Sequence, residues 1–215
     1  MPEPVKGPRR YESPRRREQA AATRRDILAA ARRRFEQDGY AATTMAAVAR
    51  EAGVALKTVY LAYESKSNLL RELWNVTLRG GGGDAPVGER SWYREVIDEP
   101  DPARQLRLNA RNARDVRERA GGLLIVIRNA APIDADTGAL WRRIQEQFYA
   151  NQRTIVESLD DRGALAPGLD VTRAADVLWT LNHPDLWVLL VRERGWSPEL
   201  FERWSADAAC DQLLA

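Results

Sequence analysis

The sequence predicts an all-α protein of about nine helices, divided into a small basic N-terminal part and a larger acidic remainder. Apolar residues recur at three- and four-residue intervals along most of the chain, and no segment shows the strict alternation of a strand. Gly- and Pro-containing breaks separate these periodic segments at helix-length intervals. Charge is unevenly shared: residues 1–79 hold 16 Lys/Arg against 9 Asp/Glu and residues 80–215 hold 17 against 22, so a net +2 conceals parts of +7 and −5. A basic end on an acidic body suggests a polyanion-binding part joined to a domain with a different partner.

Composition narrows the possible chemistry. With 44% apolar and 30% charged among 215 residues, wholesale disorder is excluded and a sizeable core is possible. Apolar runs such as Leu123 to Ile127 are far short of the roughly 20 residues that span a bilayer, so no membrane partner is expected. The N-terminus is positive but lacks the apolar stretch and cleavage site of a secretory signal, and a cytoplasmic location is expected. A single cysteine, Cys210, excludes an intramolecular disulfide or a cysteine-built zinc site, and a single histidine, His183, removes most metal and Ser/His/Asp chemistry. No Gly-rich phosphate loop follows a strand, so neither enzyme activity nor a cofactor or metal is expected. Thirty of the 33 basic residues are Arg, which points to biased genomic composition.

Taken in order, residues 1–17 carry four prolines and five arginines and are expected to form a disordered basic arm, either solubilising or touching the polyanion. From Glu18 to Asp38, Ile27, Ala31 and Phe35 recur at four-residue steps and Gly39 marks the stop. Thr43 or Thr44 can cap a short helix, Met45–Glu51, with Met45, Val48 and Ala49 inward. Gly53 then turns the chain into a third helix over about Ala55–Leu61, and Ser65 caps a fourth, Lys66–Leu78. Residues 18–79 form one domain on this reading, and 80–100, rich in Gly and Pro, a flexible connection with at most a short helix near Trp92–Ile97.

Residues 101–215 form the second domain. Asp101 caps a helix with Pro102 in its first turn and Leu106, Ala110 and Ala113 on one face; Gly121-Gly122 is expected to interrupt it before an apolar helix to about Ala131. Pro132 to Gly138 reads as a turn, Ala139 to Arg162 as a long helix carrying Trp141, Ile144, Phe148, Ile155 and Leu159, and Gly163 to Asp170 as a break. Val171–Arg194 and Ser197–Leu214 close the chain. Pro184 should kink the former, leaving a carbonyl near Trp179-Thr180 unpaired.

The segment Thr43–Lys66, TTMAAVAREAGVALKTVYLAYESK, has the layout of a helix-turn-helix. Two short helices crossing steeply need a small residue at the contact, Ala49, and a turn residue free to adopt positive φ, Gly53. Val48, Val54 and Val59 fill the space between them, leaving Lys57, Thr58, Leu61 and Ala62 to face a DNA major groove. Tyr60, Tyr63 and Lys66, with Thr43 and Thr44 and the amides at the starts of the second and fourth helices, suit phosphate oxygens.

A helix followed by Thr-Thr, an Ala-Xaa-Xaa-Ala-Gly-Val turn and Thr58-Val59-Tyr60-Leu61-Ala62-Tyr63-Glu64-Ser65-Lys66 with Leu69 resembles the DNA-binding domain of TetR/AcrR-type bacterial transcriptional regulators, over about residues 19–78. Two positions depart: Ala62 and Tyr63 stand where the family usually has a larger residue such as His or Tyr, then Phe. Tyr63 keeps the aromatic plug, and Ala62 lacks a phosphate contact.

The resemblance implies that the acidic remainder encloses a small-molecule effector and that the last two long helices pair in a homodimer on a palindromic operator. The protein is then expected to be a repressor that the effector releases. The implied pocket draws on Leu106, Asn109, Ala110, Ala113, Leu124, Ile127, Arg128, Trp141, Ile144 and Phe148, with Trp179, Asn182 and His183 at the kink. The aromatic stripe reads more readily as plain core, and His183 more readily as an interface or helix-satisfying residue, than as ligand contacts; Asn109, Asn112, Arg128, Gln145 and Gln152 need partners or a ligand if they face inward. The implied dimer seam comprises Leu178, Leu181, Leu189, Trp196, Phe201, Trp204 and Ala208. A helical small-molecule binding protein or enzyme with an incidental basic end is the alternative, and operator binding separates the two.

Overall fold

The computed structural model describes residues 14–79 and 91–215, and every ordered element in that span is helical apart from one isolated bridge, Leu165 with Leu214. Helices run α1 (Pro14–Ala42), α2 (Met45–Glu51), α3 (Leu56–Tyr63), α4 (Lys66–Arg79), α5 (Ser91–Asp98), α6 (Pro102–Ala130), α7 (Ala135–Asp160), α8 (Val171–Leu181), α9 (Pro184–Trp187) with a π-helical continuation, Val188–Glu193, and α10 (Pro198–Leu213). The chain divides into two units, the first closing at Leu69 and the second opening at Leu70. The division falls inside α4. Helix α1 starts four residues inside the expected arm, whose residues 1–13 lie outside the described span, as do residues 80–90 of the expected connection.

In the N-terminal unit α1 packs on α2 and α2 on α3. Ile27, Ala31 and Phe35, the predicted inner stripe of α1, are fully buried, as are Val48 and Val59. Phe35 stacks on Tyr40 with ring centroids 5.9 Å apart. Gly39 takes φ 76° and kinks α1 where the stop was expected; only a residue without Cβ holds that conformation cheaply. Glu51 of α2 reaches back to Arg33 at 2.6 Å and to Arg34, so two guanidiniums hold its carboxyl below the usual range.

In the C-terminal unit α6 packs on α10 and α7 on α8, with α5 against both α6 and α7. Their shared core includes Val96, Leu106, Ile155, Leu159, Ala175, Leu178 and Leu213. The chain end is tied down where Ala166 N–H donates to the Leu213 carbonyl at 2.8 Å. Asp101 caps α6 as expected, accepting from the Arg104 amide at 2.7 Å, with Pro102 following.

Three boundaries differ from the sequence expectation. Gly121-Gly122 does not interrupt α6, which runs unbroken for 29 residues. Glycine weakens a helix by about 1 kcal/mol, but the flanking turns carry the buried Ala120, Leu123, Leu124 and Ile127, and Gly121 is itself buried beside the Trp187 indole. Helix α7 begins at Ala135, inside the expected turn, because Asp134 caps it by accepting from the Thr137 amide. Pro184 breaks the helix outright: α8 ends at Leu181, and His183 caps α9 through Nδ1, which accepts from the Asp185 amide at 3.2 Å. The Thr180 carbonyl is then taken by the His183 amide at 3.0 Å, so it is not left unpaired.

Candidate nucleic-acid interface and interior cavity

Thr44 caps α2 by accepting from the Ala47 amide at 3.1 Å, and α2 ends as Ala52 and Gly53 return amides to Val48 and Arg50. Gly53 takes φ 67°, the positive value the turn requires. Helix α3 follows with Val59 buried beneath it. The opposite side presents Lys57, Tyr60 at 47% exposure and Leu61 at 76%, with Thr58 half-buried at its edge. A cation, a phenol and a bare apolar side chain on one short helix make a surface able to meet phosphates and base edges.

Three residues expected at this surface are employed inside the unit, and for them the expectation of a side-chain contact to DNA is corrected. Thr43 is buried, and its hydroxyl donates to the Gly39 carbonyl at 2.7 Å. Tyr63 is the buried aromatic plug, its hydroxyl donating to the Arg24 carbonyl at 3.4 Å. Lys66 Nζ donates to the carbonyls of Tyr40 at 2.7 Å and Thr43 at 3.0 Å, and lies 4.2 Å from the Tyr40 ring centroid. A cation there satisfies the end of α1 and opposes its dipole.

The C-terminal unit contains a partly open cavity of about 280 Å³. Helix α4 lines it with Arg71, Trp74, Asn75 and Leu78, and α5 with Trp92 and Tyr93. Helix α6 supplies Asn109, Asn112, Ala113, Val116, Arg117 and Leu124; α7 supplies Leu140, Arg143, Ile144, Gln145, Phe148 and Gln152 among others. Of the residues expected in a pocket, Asn109, Ala113, Leu124, Ile144 and Phe148 are there. Leu106, Ala110 and Ile127 are not, being buried in the packing instead. Nor is Arg128, which pairs with Asp185 at the surface, nor Trp141. Trp179 and Asn182 also miss it: Trp179 packs edge-on to Tyr149 and His183, and the Asn182 amide donates to the Leu178 carbonyl. His183 is a helix cap, and its partial burial lowers its pKa.

Polar groups on the cavity wall are partly spent on one another. Asn109 donates to Gln152 at 2.9 Å, and Asn112 donates to the Trp92 carbonyl at 3.0 Å. Among the described residues, Gln145 Oε1 is buried without a partner. Sequence reasoning missed Arg71, Trp74, Trp92, Leu140 and Arg143 on this wall and, most tellingly, Arg117. Arg117 is buried, donates to the Asn182 carbonyl and lies 5.3 Å from the Phe148 ring centroid, and desolvation pushes its pKa down to about 10. The signal was available: Arg117 continues the Ala110–Ala113 face of α6 by one turn, placing a charge on an apolar stripe.

Two expected seam residues, Leu178 and Phe201, are core residues of the chain itself at 1% exposure. Phe201 is enclosed by Trp187 and Trp204, which in turn meets Trp196. Leu189 is exposed, and Leu181, Trp196, Trp204 and Ala208 keep part of their surface.

Residues 27–73 match the family profile described as "Bacterial regulatory proteins, tetR family". The chain carries a TetR-family N-terminal domain. Solved structures, several of them of TetR-family regulators, share its fold along nearly its whole length. One from Mesorhizobium loti is 22% identical, covers 92% of this chain and 99% of its own, and superposes with a TM-score of 0.69. NalD, the secondary repressor of the MexAB-OprM multidrug efflux pump in Pseudomonas aeruginosa, is 20% identical over 91% of this chain and 98% of its own, with a TM-score of 0.70. A transcriptional regulator from Saccharomonospora viridis, crystallised with choline, is 15% identical over 91% and 99%, also at 0.70. No curated protein sequence matches the chain. Among the described residues, no helix is long and apolar enough to cross a membrane.

Proposed function

We propose that this TetR-type chain is a homodimeric transcriptional repressor that binds a palindromic operator through α3 and is released by a small molecule in the α4–α7 cavity. The observation that carries the reading is the contrast within the helix-turn-helix. Thr43, Tyr63 and Lys66 are consumed internally, while Lys57, Tyr60 and Leu61 stand free on one face of α3. Pairing through the surface left by Leu181 of α8, Leu189 of the π-helical segment, Trp196 in the turn after it, and Trp204 and Ala208 of α10 would set two such helices on half-sites about 34–36 Å apart. Thr44 and Thr58 flank the reading face, where backbone and hydroxyl groups meet phosphates.

Helix α4 links the two roles. Its first turn holds Lys66, and its later turns present Arg71, Trp74, Asn75 and Leu78 to the cavity. A ligand that fits only one placement of those four side chains favours one placement of α4, and DNA affinity falls by the ligand's preference between the two states. The choline complex of the S. viridis regulator supports the use of this fold to hold small molecules.

The test is binding of a duplex taken from the promoter adjacent to the coding sequence, followed by fluorescence anisotropy across a salt series. Sequence-preferring binding that weakens steeply with salt is expected. Lys57→Ala and Tyr60→Ala should each weaken it roughly 5- to 150-fold, the ~1–3 kcal/mol of a good contact, with unfolding midpoints unchanged. Equal binding of all duplexes, or variants that lose the fold together with the DNA, would overturn the proposal.

A further inference from the structure

Among the described residues, the cavity wall carries three arginines, Arg71, Arg117 and Arg143, and no Asp or Glu. Among the described residues, none of the three forms an ion pair, although the unit around them is acidic in total. Arg117 is the decisive member. A guanidinium has five N–H donors, and among the described residues Arg117 spends them on one protein acceptor, the Asn182 carbonyl, with the Phe148 ring against its face. A buried cation with no counter-charge is costly unless something supplies one. Its neighbours explain what kind of molecule could: Trp74, Trp92, Phe148 and Ile144 give broad apolar faces, and a fork of N–H donors suits a planar two-oxygen anion.

From this geometry we infer that the cavity selects an aromatic carboxylate, its anion against Arg117 and its rings between Trp74, Trp92 and Phe148. The inference rests on reading the cavity as the effector site and names the effector's chemical class. An apolar cavity of roughly 150 Å³ takes up benzene; a space of about 280 Å³ therefore admits a two-ring acid. The arrangement discriminates by charge. A neutral isostere leaves Arg117 unpaired, and a quaternary ammonium places like charge beside three guanidiniums.

The test is direct binding to the full-length protein without DNA, read by quenching of tryptophan fluorescence and by calorimetry. The probes are 2-naphthoate, naphthalene-2-methanol and 2-naphthyltrimethylammonium, with wild type, Arg117→Met and Arg143→Gln. Wild type is expected to bind the acid at least tenfold more tightly than the alcohol and to bind the ammonium weakest. Arg117→Met should abolish the preference while keeping the alcohol's affinity. Arg143→Gln, at the exposed rim, should reduce it only a few-fold and supplies the variant whose folding is least at risk. Equal affinity for acid and alcohol in wild type, preference for the ammonium, or binding of none of the three would overturn the inference. Operator affinity measured with and without 2-naphthoate separates the two claims. An acid-selective cavity whose filling leaves DNA binding unchanged sustains this inference and defeats the release mechanism.

Discussion

Lys66 in the N-terminal unit and Arg117 in the C-terminal unit are both cations drawn inward among helices, and the protein treats them differently. Lys66 donates to the carbonyls of Tyr40 and Thr43 and sits against the Tyr40 ring, so its charge closes α1. Arg117 has the Asn182 carbonyl, the Phe148 ring and the cavity. The same contrast runs through each unit. Near the helix-turn-helix the inward polar groups serve as caps and plugs, leaving the unit to act through its outer face. In the C-terminal unit, among the described residues, unused hydrogen-bonding capacity lies inside, at Arg117 and Gln145. A unit that is satisfied within can read a rigid partner; one left incomplete within can respond to a small one.

The largest test of that contrast is Phe35→Ala. Phe35 is fully buried and stacked on Tyr40, so the substitution should cost about 3–5 kcal/mol in denaturant unfolding. A loss below about 1 kcal/mol would mean the N-terminal core is not closed. Next comes Lys66→Met, which removes charge-assisted bonds to carbonyls and should cost about 1.5–3 kcal/mol. If Lys66 instead points to DNA, stability will hold and operator affinity alone will fall.

Arg117→Met should behave in the opposite way. It gives up one hydrogen bond but also an uncompensated buried charge, so stability should stay within about 1 kcal/mol of wild type or rise. A loss as large as that of Lys66→Met would erase the distinction between the two cations.

The smallest effect is one of pH. Burial and nearby guanidiniums hold the His183 pKa below its ordinary value, and its Nδ1 must stay unprotonated to accept from the Asp185 amide. The unfolded chain therefore takes up the proton first. The stability contributed by His183 is complete above the ordinary histidine pKa of about 6.5 and is lost as pH falls through the folded value. His183 is the only histidine, so its ring resonance needs no assignment. A midpoint at or above the ordinary value in a proton NMR titration would show that the cap does not form.

Much of the fold was legible because it is local. The bounds of α2, the Asp101–Pro102 start of α6, the Gly39 and Gly53 turns and the inner stripe of α1 each follow from residues within a few positions of one another. Errors arose where a distant partner outweighs local preference. Gly121-Gly122 reads as a break and is carried through by the burial of Ala120, Leu123, Leu124 and Ile127 around it and by Trp187 beside Gly121. Leu178 and Phe201 read as seam residues, yet the chain's own core absorbs them. Arg117 was hidden differently: among thirty arginines, no single one stands out until the fold buries it.

Periodicity, caps and turn glycines thus determined an all-helical chain, and the order and spacing of residues 43–66 identified the helix-turn-helix, since these depend on neighbours along the chain. Which polar side chains are free to act was decided by tertiary structure alone. Tyr63 and Lys66 differ from Lys57 and Tyr60 in what they meet across the fold, and a hydrogen bond to a residue twenty or more positions away, as Lys66 makes to Tyr40, leaves no mark in local sequence.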